Sequence, residues 1–405
     1  MDLLGWIALS SLACWCWLLL GQGAFWRTDV RLPPAPRPPE RWPRVAVVVP
    51  ARDEAAVLPD SLPSLLGQDY PGEAEIHLVD DGSTDGTGAL ARALAERHGG
   101  LPLTVSSPGE PPPGWAGKMW AVRHGIARAR GGGSQDLPPG REKLTGGPEY
   151  LLLTDADIAH GPDSLRALVA AAEAGRHDLV SLMARLRVVT GWERLVVPAF
   201  VYFFAQLYPF RWVAGPGRRT AAAAGGCVLL QTAAAERAGV PESIRHAVID
   251  DVALARAVKR GGGRIWLGLA DRVDSVRPYP GLAELWRMVS RSAYAQLRHS
   301  PALLAGTVAG LVLVYLVPPL SLLALAAGSP WAAVAGGAAW LVMTATYVPM
   351  LRYYRQPLWL APLLPVTAFL YLLMTVDSAL QHHRGRGSAW KGRTYARPPR
   401  ADRAG

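Results

Sequence analysis

The sequence predicts an α/β domain built on a mostly parallel sheet with helices on both faces, with transmembrane helices before and after it. Three observations predict this. Between residues 44 and 174, short apolar runs alternate with segments of helical pattern, the arrangement that yields parallel strands with crossover helices. The first of these runs, 45–49, is continuously apolar rather than alternating, as expected of a strand buried on both faces. Longer apolar runs at residues 3–20, 302–327, 331–350 and 358–376 have the length needed to span a bilayer.

In chain order, residues 3–20 carry no charge and are followed by Arg27, Arg31 and Arg37. A cleaved leader carries its positive charge before the apolar run, so this run reads as a signal anchor with the rest of the chain cytosolic. Residues 1–26 form the anchor and 27–43 a stiff proline-rich linker. The α/β domain is expected over residues 44–297, on the cytosolic side. Its first strand is the β-branched run 45–49, and a helix follows over 58–66. A second strand covers 76–79. The next helix, 89–98, stops at Gly99. A third strand (101–105), a helix (119–130), a Gly- and Pro-rich insert (131–149) and a fourth strand (150–154) come next. Pro162 then opens a helix through Ala174. A membrane region is expected over 298–376 and a basic tail over 377–405.

The chain has 405 residues, of which 50% are hydrophobic, and a net charge of +10. That balance suits a membrane carrying anionic lipid or a phosphate-bearing substrate. The basic residues are scattered or sit beside apolar segments and no nucleic-acid-binding motif occurs, so nucleic acid is not an expected partner. Cys14, Cys16 and Cys227 form no disulfide frame or zinc spacing, which points to a reducing compartment.

The chemistry lies at the strand ends. The first strand runs into Pro50-Ala51-Arg52-Asp53-Glu54, the second into Asp80-Asp81-Gly82-Ser83, and the fourth into Asp155-Ala156-Asp157. A parallel sheet binds ligands beyond the carboxyl ends of its strands. Acids beside a diphosphate repel it unless a divalent cation lies between, and two aspartates one residue apart can share such a hard ion. Asp, Gly and Ser also form ordinary turns after strands, which accounts for one such segment more readily than for three. Gly114-Trp115-Ala116-Gly117-Lys118 follows the third strand. A lysine at a helix start after flexible glycines suits phosphate, or is a surface lysine in a loop packed by tryptophans. Gly225-Gly226-Cys227 precedes Ile249-Asp250-Asp251-Val252. Its paired acids are candidates for proton transfer or simple stabilisers of a helix start.

This set resembles the family-two glycosyltransferases with the GT-A fold. The resemblance implies that Ala51, Arg52, Asp53, Glu54, Asp80 and Asp81 face the nucleoside of a nucleotide-sugar donor. Asp155 lies near ribose and phosphate, and Asp157, with Asp155, holds Mg²⁺ or Mn²⁺. It implies that Asp251, beside Asp250, is the base of an inverting transfer. The family usually has Asn where this chain has Asp53, and Glu where it has Asp250. The Gly-Trp-x-Gly-Lys segment and the tail segment Trp390-Lys391-Gly392-Arg393 resemble the branch associated with hopanoid biosynthesis. The resemblance implies a UDP-sugar donor, and the membrane segments point to a lipid hydroxyl as acceptor, a hopanoid or another polyisoprenoid-derived molecule. Synthases of the family carry Gln-x-x-Arg-Trp, which is not found. In the corresponding region Arg287 and Arg291 stand one helical turn apart, placed to neutralise a leaving diphosphate or to lie on a membrane surface.

Two other functions remain open at this point. One is transfer to a polyprenyl phosphate, which needs no base. The other is a non-catalytic nucleotide-sugar-binding scaffold, against which stand all four of Asp81, Asp155, Asp157 and Asp251. Residues 195–213 are nearly all apolar yet lie between Asp157 and Asp251, so they are expected to form an interfacial or buried helix rather than a crossing. The last apolar run contains Pro362 and Pro365, and it is expected to be re-entrant or interfacial, returning the tail to the cytosolic face of the inner membrane.

Overall fold

The computed structural model describes residues 2–33, 36–131, 147–215 and 217–384 and the strand residues 389–390 and 393–394. Most of the glycine-rich insert and of the basic tail, with Lys391, therefore lies outside the described residues. The chain forms two compact units. One comprises residues 31–186 and 221–277 with the tail strands; the other comprises residues up to 30, 187–220 and 278–388. Residues 187–220 and 278–297 fall in the unit that holds the apolar helices.

The first unit holds an eight-stranded sheet. Its strands are β1 (Val45–Ala51), β2 (Ala74–Asp80), β3 (Leu103–Ser106), β4 (Tyr150–Thr154), β5 (Ile158–His160), β6 (Leu179–Leu186), β7 (Cys227–Gln231) and β8 (Ile265–Ser275). They lie in the order β3-β2-β1-β4-β7-β6-β8-β5. β1 pairs in parallel with β2 and β4, β2 with β3, and β6 with β8. β7 is antiparallel to both neighbours, and β5 is antiparallel to β8. The sheet is thus mixed, with parallel pairings in the majority. β1 is buried along its whole length, as its unbroken apolar run predicts. Val45, Val47 and Val49 join a core with Ile76, Leu78 and Leu152 and with Leu58, Leu62 and Leu65 of the helix Leu58–Leu66.

On the opposite face the helix Gly117–Ala129 approaches so closely that only glycine fits at position 125. A Cβ there would lie 2.5 Å from Val48 Cγ1 and 3.1 Å from Val79 Cγ2. Both valines are buried and stiff at χ1. Gly125→Ala should therefore lower stability by about 1–3 kcal/mol through overpacking. Thermal melting of the purified chain checks this, and an unchanged midpoint would show that the helix can move away.

Among the described residues, the second unit contains four helices long and apolar enough to cross a membrane: Leu3–Leu20, Pro301–Leu325, Pro330–Tyr353 and Leu358–His383. The last run changes helix type at its prolines. Residues Leu358–Leu363 form a 3₁₀ turn containing Pro362, and Pro365 sits in the first turn of the helix Leu364–His383. Proline is tolerated there because its missing N–H has no intrahelical acceptor.

The aromatic run forms the helix Gly191–Leu207, then a short helix Phe210–Ala214. It starts earlier than its apolar pattern suggests because Thr190 and Glu193 make a capping box. Pro198 is consequently in the helix interior rather than near its start. Tyr202 is fully buried, its ring packs edge-on against Phe25 and Tyr347, and its hydroxyl lies 2.8 Å from Thr346 Oγ1.

Candidate active site

The loops after β1 and β2 are stitched to each other. Asp81 N–H donates to Ala51 O at 2.9 Å. The guanidinium of Arg52 bonds Asp81 O and lies 3.6 Å from its Oδ2, and Asp81 is fully buried. Asp53 has φ 49°, a left-handed conformation that Asn and Asp tolerate best after glycine. Its carboxylate accepts Thr84 N–H at 2.8 Å, and its own N–H donates to Ser83 Oγ at 3.0 Å. Asparagine and aspartate can both make these bonds. Asp80 Oδ1 accepts Ser83 N–H at 2.9 Å. The other Asp80 oxygen would lie 2.6 Å from a Cβ at residue 88, where the chain has glycine.

The third, fourth and later segments converge on Lys118, the second residue of the helix Gly117–Ala129. Its Nζ lies 2.9 Å from Asp155 Oδ1 and 3.0 Å from Asp250 Oδ2. Trp115 and Trp120 pack edge-to-face at 5.4 Å with the Arg123 guanidinium over both rings, so the tryptophans brace the helix start. Burial opposes the Lys118 charge, but Asp155 and Asp250 outweigh it and hold its pKa well above the ordinary lysine value. Asp250 and Asp251 begin the helix Asp250–Arg260, yet neither caps it. Asp251 Oδ2 instead accepts Gly225 N–H at 3.0 Å, just before β7, and Oδ1 accepts Val252 N–H at 2.7 Å. Thr154 Oγ1 donates to Gly226 O at 2.7 Å and so ties the end of β4 to the same turn. Burial, then the charge of Asp250, push the Asp251 carboxyl up to about 7, against the pull of Lys118. Burial also raises Asp155. A narrow cleft is lined by Lys118, Thr154, Asp155, Gly225, Asp250 and Asp251.

Asp157 faces other partners. Its Oδ2 accepts from Ser275 Oγ at 2.9 Å and from Arg277 Nε at 3.0 Å. Arg277 also bonds both oxygens of Glu54, at 2.8 and 2.7 Å. Among the described residues no group of three His, Cys, Asp or Glu is gathered to hold a metal. Two oxygen donors with phosphate oxygens completing the shell is a usual way to hold Mg²⁺, and Asp155 is near enough to Asp157 for the charge of Asp157 to raise its pKa. Arg287 and Arg291 lie on the helix Leu282–Gln296 of the second unit. Arg287 is 74% exposed and pairs with Glu284 at 2.8 Å. Sequence reasoning missed Arg277, Ser275 and Thr154.

Residues 46–211 match the family model Glycosyl transferase family 2. The match takes in the acids after β1, β2 and β4 and ends before Asp250 and Asp251. A probable glycosyltransferase YdaM of Bacillus subtilis is 30% identical over 90 residues, 22% of this chain and 21% of that protein. An N-acetylglucosaminyltransferase of Mesorhizobium japonicum is 34% identical over 83 residues, 20% of each chain. The chain thus spans about a fifth of the length of these curated relatives. Among solved structures, the mannosyltransferase PcManGT of Pyrobaculum calidifontis, in complex with GDP-Man and Mn²⁺, superposes with a TM-score of 0.52. It is 20% identical, over 92% of this chain and 99% of that one, a likeness that shows the GT-A-like fold.

Proposed function

We infer that this family-two domain transfers the sugar of a nucleotide-sugar donor to an acceptor hydroxyl, inverting the anomeric configuration. The observation that carries this reading is the junction at Lys118. One ammonium joins Asp155, at the end of β4, to Asp250, whose neighbour Asp251 is a half-buried carboxyl poised near neutral pH. A general base works best with a pKa near the operating pH. In the reaction, Asp251 takes the acceptor's proton as the acceptor oxygen bonds the anomeric carbon. The bond from that carbon to the diphosphate breaks on the far side, and the nucleoside diphosphate leaves with the electron pair. The loops carrying Arg52, Asp53 and Asp81 hold the nucleoside. Asp155 and Asp157 would hold a divalent cation, Mg²⁺ or Mn²⁺, which when bound neutralises the diphosphate.

The four long apolar helices support work at a membrane on a lipid acceptor. By the resemblance noted above, the donor is a UDP-sugar and the acceptor a hopanoid or another polyisoprenoid alcohol, with the catalytic unit cytosolic. Membranes containing the chain, given a panel of labelled nucleotide sugars and extracted lipids, should yield a labelled lipid identified by mass. Label on a polyprenyl phosphate instead would remove the need for Asp251. No transfer from any donor, with the nucleotide still bound, would leave a binding scaffold.

The metal reading has its own test. Asp157→Asn should remove most divalent-cation affinity and leave the fold intact. Undiminished transfer by the wild-type chain in excess chelator would refute it.

A further inference from the structure

Arg277 joins two loops that the sequence separates widely. It follows β8 by two residues, and one guanidinium bonds Asp157 at 3.0 Å and both oxygens of Glu54 at 2.8 and 2.7 Å. Both acids are buried, at 9% and 7% exposure. The backbone adds a further tie, since Val276 N–H donates to Asp157 O at 2.9 Å. Asp157 Oδ2 already accepts two hydrogen bonds, from Ser275 Oγ and Arg277 Nε. That is the capacity of a carboxylate oxygen with two lone pairs.

A divalent cation approaching Asp157 therefore meets a resident positive charge and an oxygen whose lone pairs are engaged. Two cations against one carboxylate repel each other in a poorly solvated site. Removing the guanidinium with nothing in its place would leave buried carboxylates uncompensated, which is strongly unfavourable.

We propose that Arg277 is a resident counter-cation with which a divalent ion at Asp157 must compete, so that the metal binds well only together with the donor diphosphate. The inference rests on the reading of Asp157 as a metal ligand. The diphosphate supplies what the exchange needs, namely negative charge for the incoming ion and an alternative acceptor for the released guanidinium. Arg277 is thereby a positioning residue: it keeps Asp157 and Glu54 in place in the empty site and makes metal and donor binding interdependent. A ligand that brings the missing charge makes the other bind better, and the effect is reciprocal.

The test is the affinity of the full-length, detergent-solubilised chain for Mn²⁺ alone, read from the electron paramagnetic resonance signal of the free ion. It is repeated in the presence of UDP. Arg277→Gln keeps a hydrogen-bond donor and removes the charge. It should bind Mn²⁺ alone about tenfold more tightly than the wild type, the size of one close charge interaction. The gain in Mn²⁺ affinity on adding UDP should shrink correspondingly. Arg277→Lys keeps the charge, but its single ammonium cannot bond both carboxylates as the guanidinium does, so its affinity should fall between the two. Thermal melting shows which variants are folded. Either variant, once shown to be folded, binding Mn²⁺ alone no more tightly than the wild type overturns the proposal. Asp157→Asn separates this failure from that of the underlying reading. Unchanged Mn²⁺ binding in Asp157→Asn removes the metal site itself. Lost binding there, with no gain in the Arg277 variants, removes only the role of Arg277.

Discussion

Asp251→Asn should lower turnover by about 10²–10⁴-fold, the usual weight of general acid–base catalysis, with little change in nucleotide-sugar affinity. The amide keeps the shape of the side chain and an oxygen for the Gly225 N–H, so the fold should persist while the proton acceptor is gone. The pH profile gives an independent check. Burial and Asp250 hold the Asp251 carboxyl at about 7, and the base acts in its deprotonated form. Turnover should therefore rise with pH through about 7 and level off above it. Below that point it should fall about tenfold per pH unit. The Asn variant should lose this limb. Donor affinity measured by calorimetry decides the role, because a fall in affinity as large as the fall in rate would make Asp251 a binding residue.

The first half of the fold is legible because short, mainly apolar runs alternate there with helical patterns, and those of β1, β2 and β4 run into acids. The helix Leu58–Leu66 and β4, Tyr150–Thr154, have the boundaries that the pattern predicts. The later strands are harder to read. β8 carries Asp271, Arg272 and Asp274, which interrupt its apolar pattern, and β7 has only five residues. β7 also runs antiparallel to β4, so the strand–helix alternation that guides the first half breaks there. In the site, the strand-end acids are visible because each follows its own buried run. Their partners are not. Arg277 meets Asp157 across 120 residues and Glu54 across 223, and one arginine after a strand carries no local signal of either. Lys118 reads in the sequence as a candidate phosphate-binding lysine. Its location between Asp155 and Asp250 came only from the fold, because the helix start, the end of β4 and the helix Asp250–Arg260 are brought together by the sheet order.

Lys118→Met should damage both stability and the base, in separable ways. The ammonium side chain is 18% exposed and compensates Asp155 and Asp250, which are 34% and 25% exposed. Removing one partner of a buried ion pair costs about 3–5 kcal/mol, and the partial exposure of Asp155 places this site at or below the lower end. Lys118 is also what pulls the Asp251 and Asp155 carboxyls down against burial. Without it both carboxyls rise further. The midpoint of the turnover–pH profile should then move upward from about 7, with much of the activity lost at neutral pH and partly recovered at higher pH. The sign for stability follows from the same shift. Carboxyls raised above their unfolded values bind more protons in the folded state. The folded state of the variant should therefore lose stability as pH rises from about 4, where the unfolded acids ionise, through the raised folded values. Lys118→Arg keeps the charge and should hold the profile midpoint near that of the wild type. Turnover and thermal melting measured across pH test both effects. A midpoint in Lys118→Met that stays in place or moves downward would show that Lys118 does not act on the base.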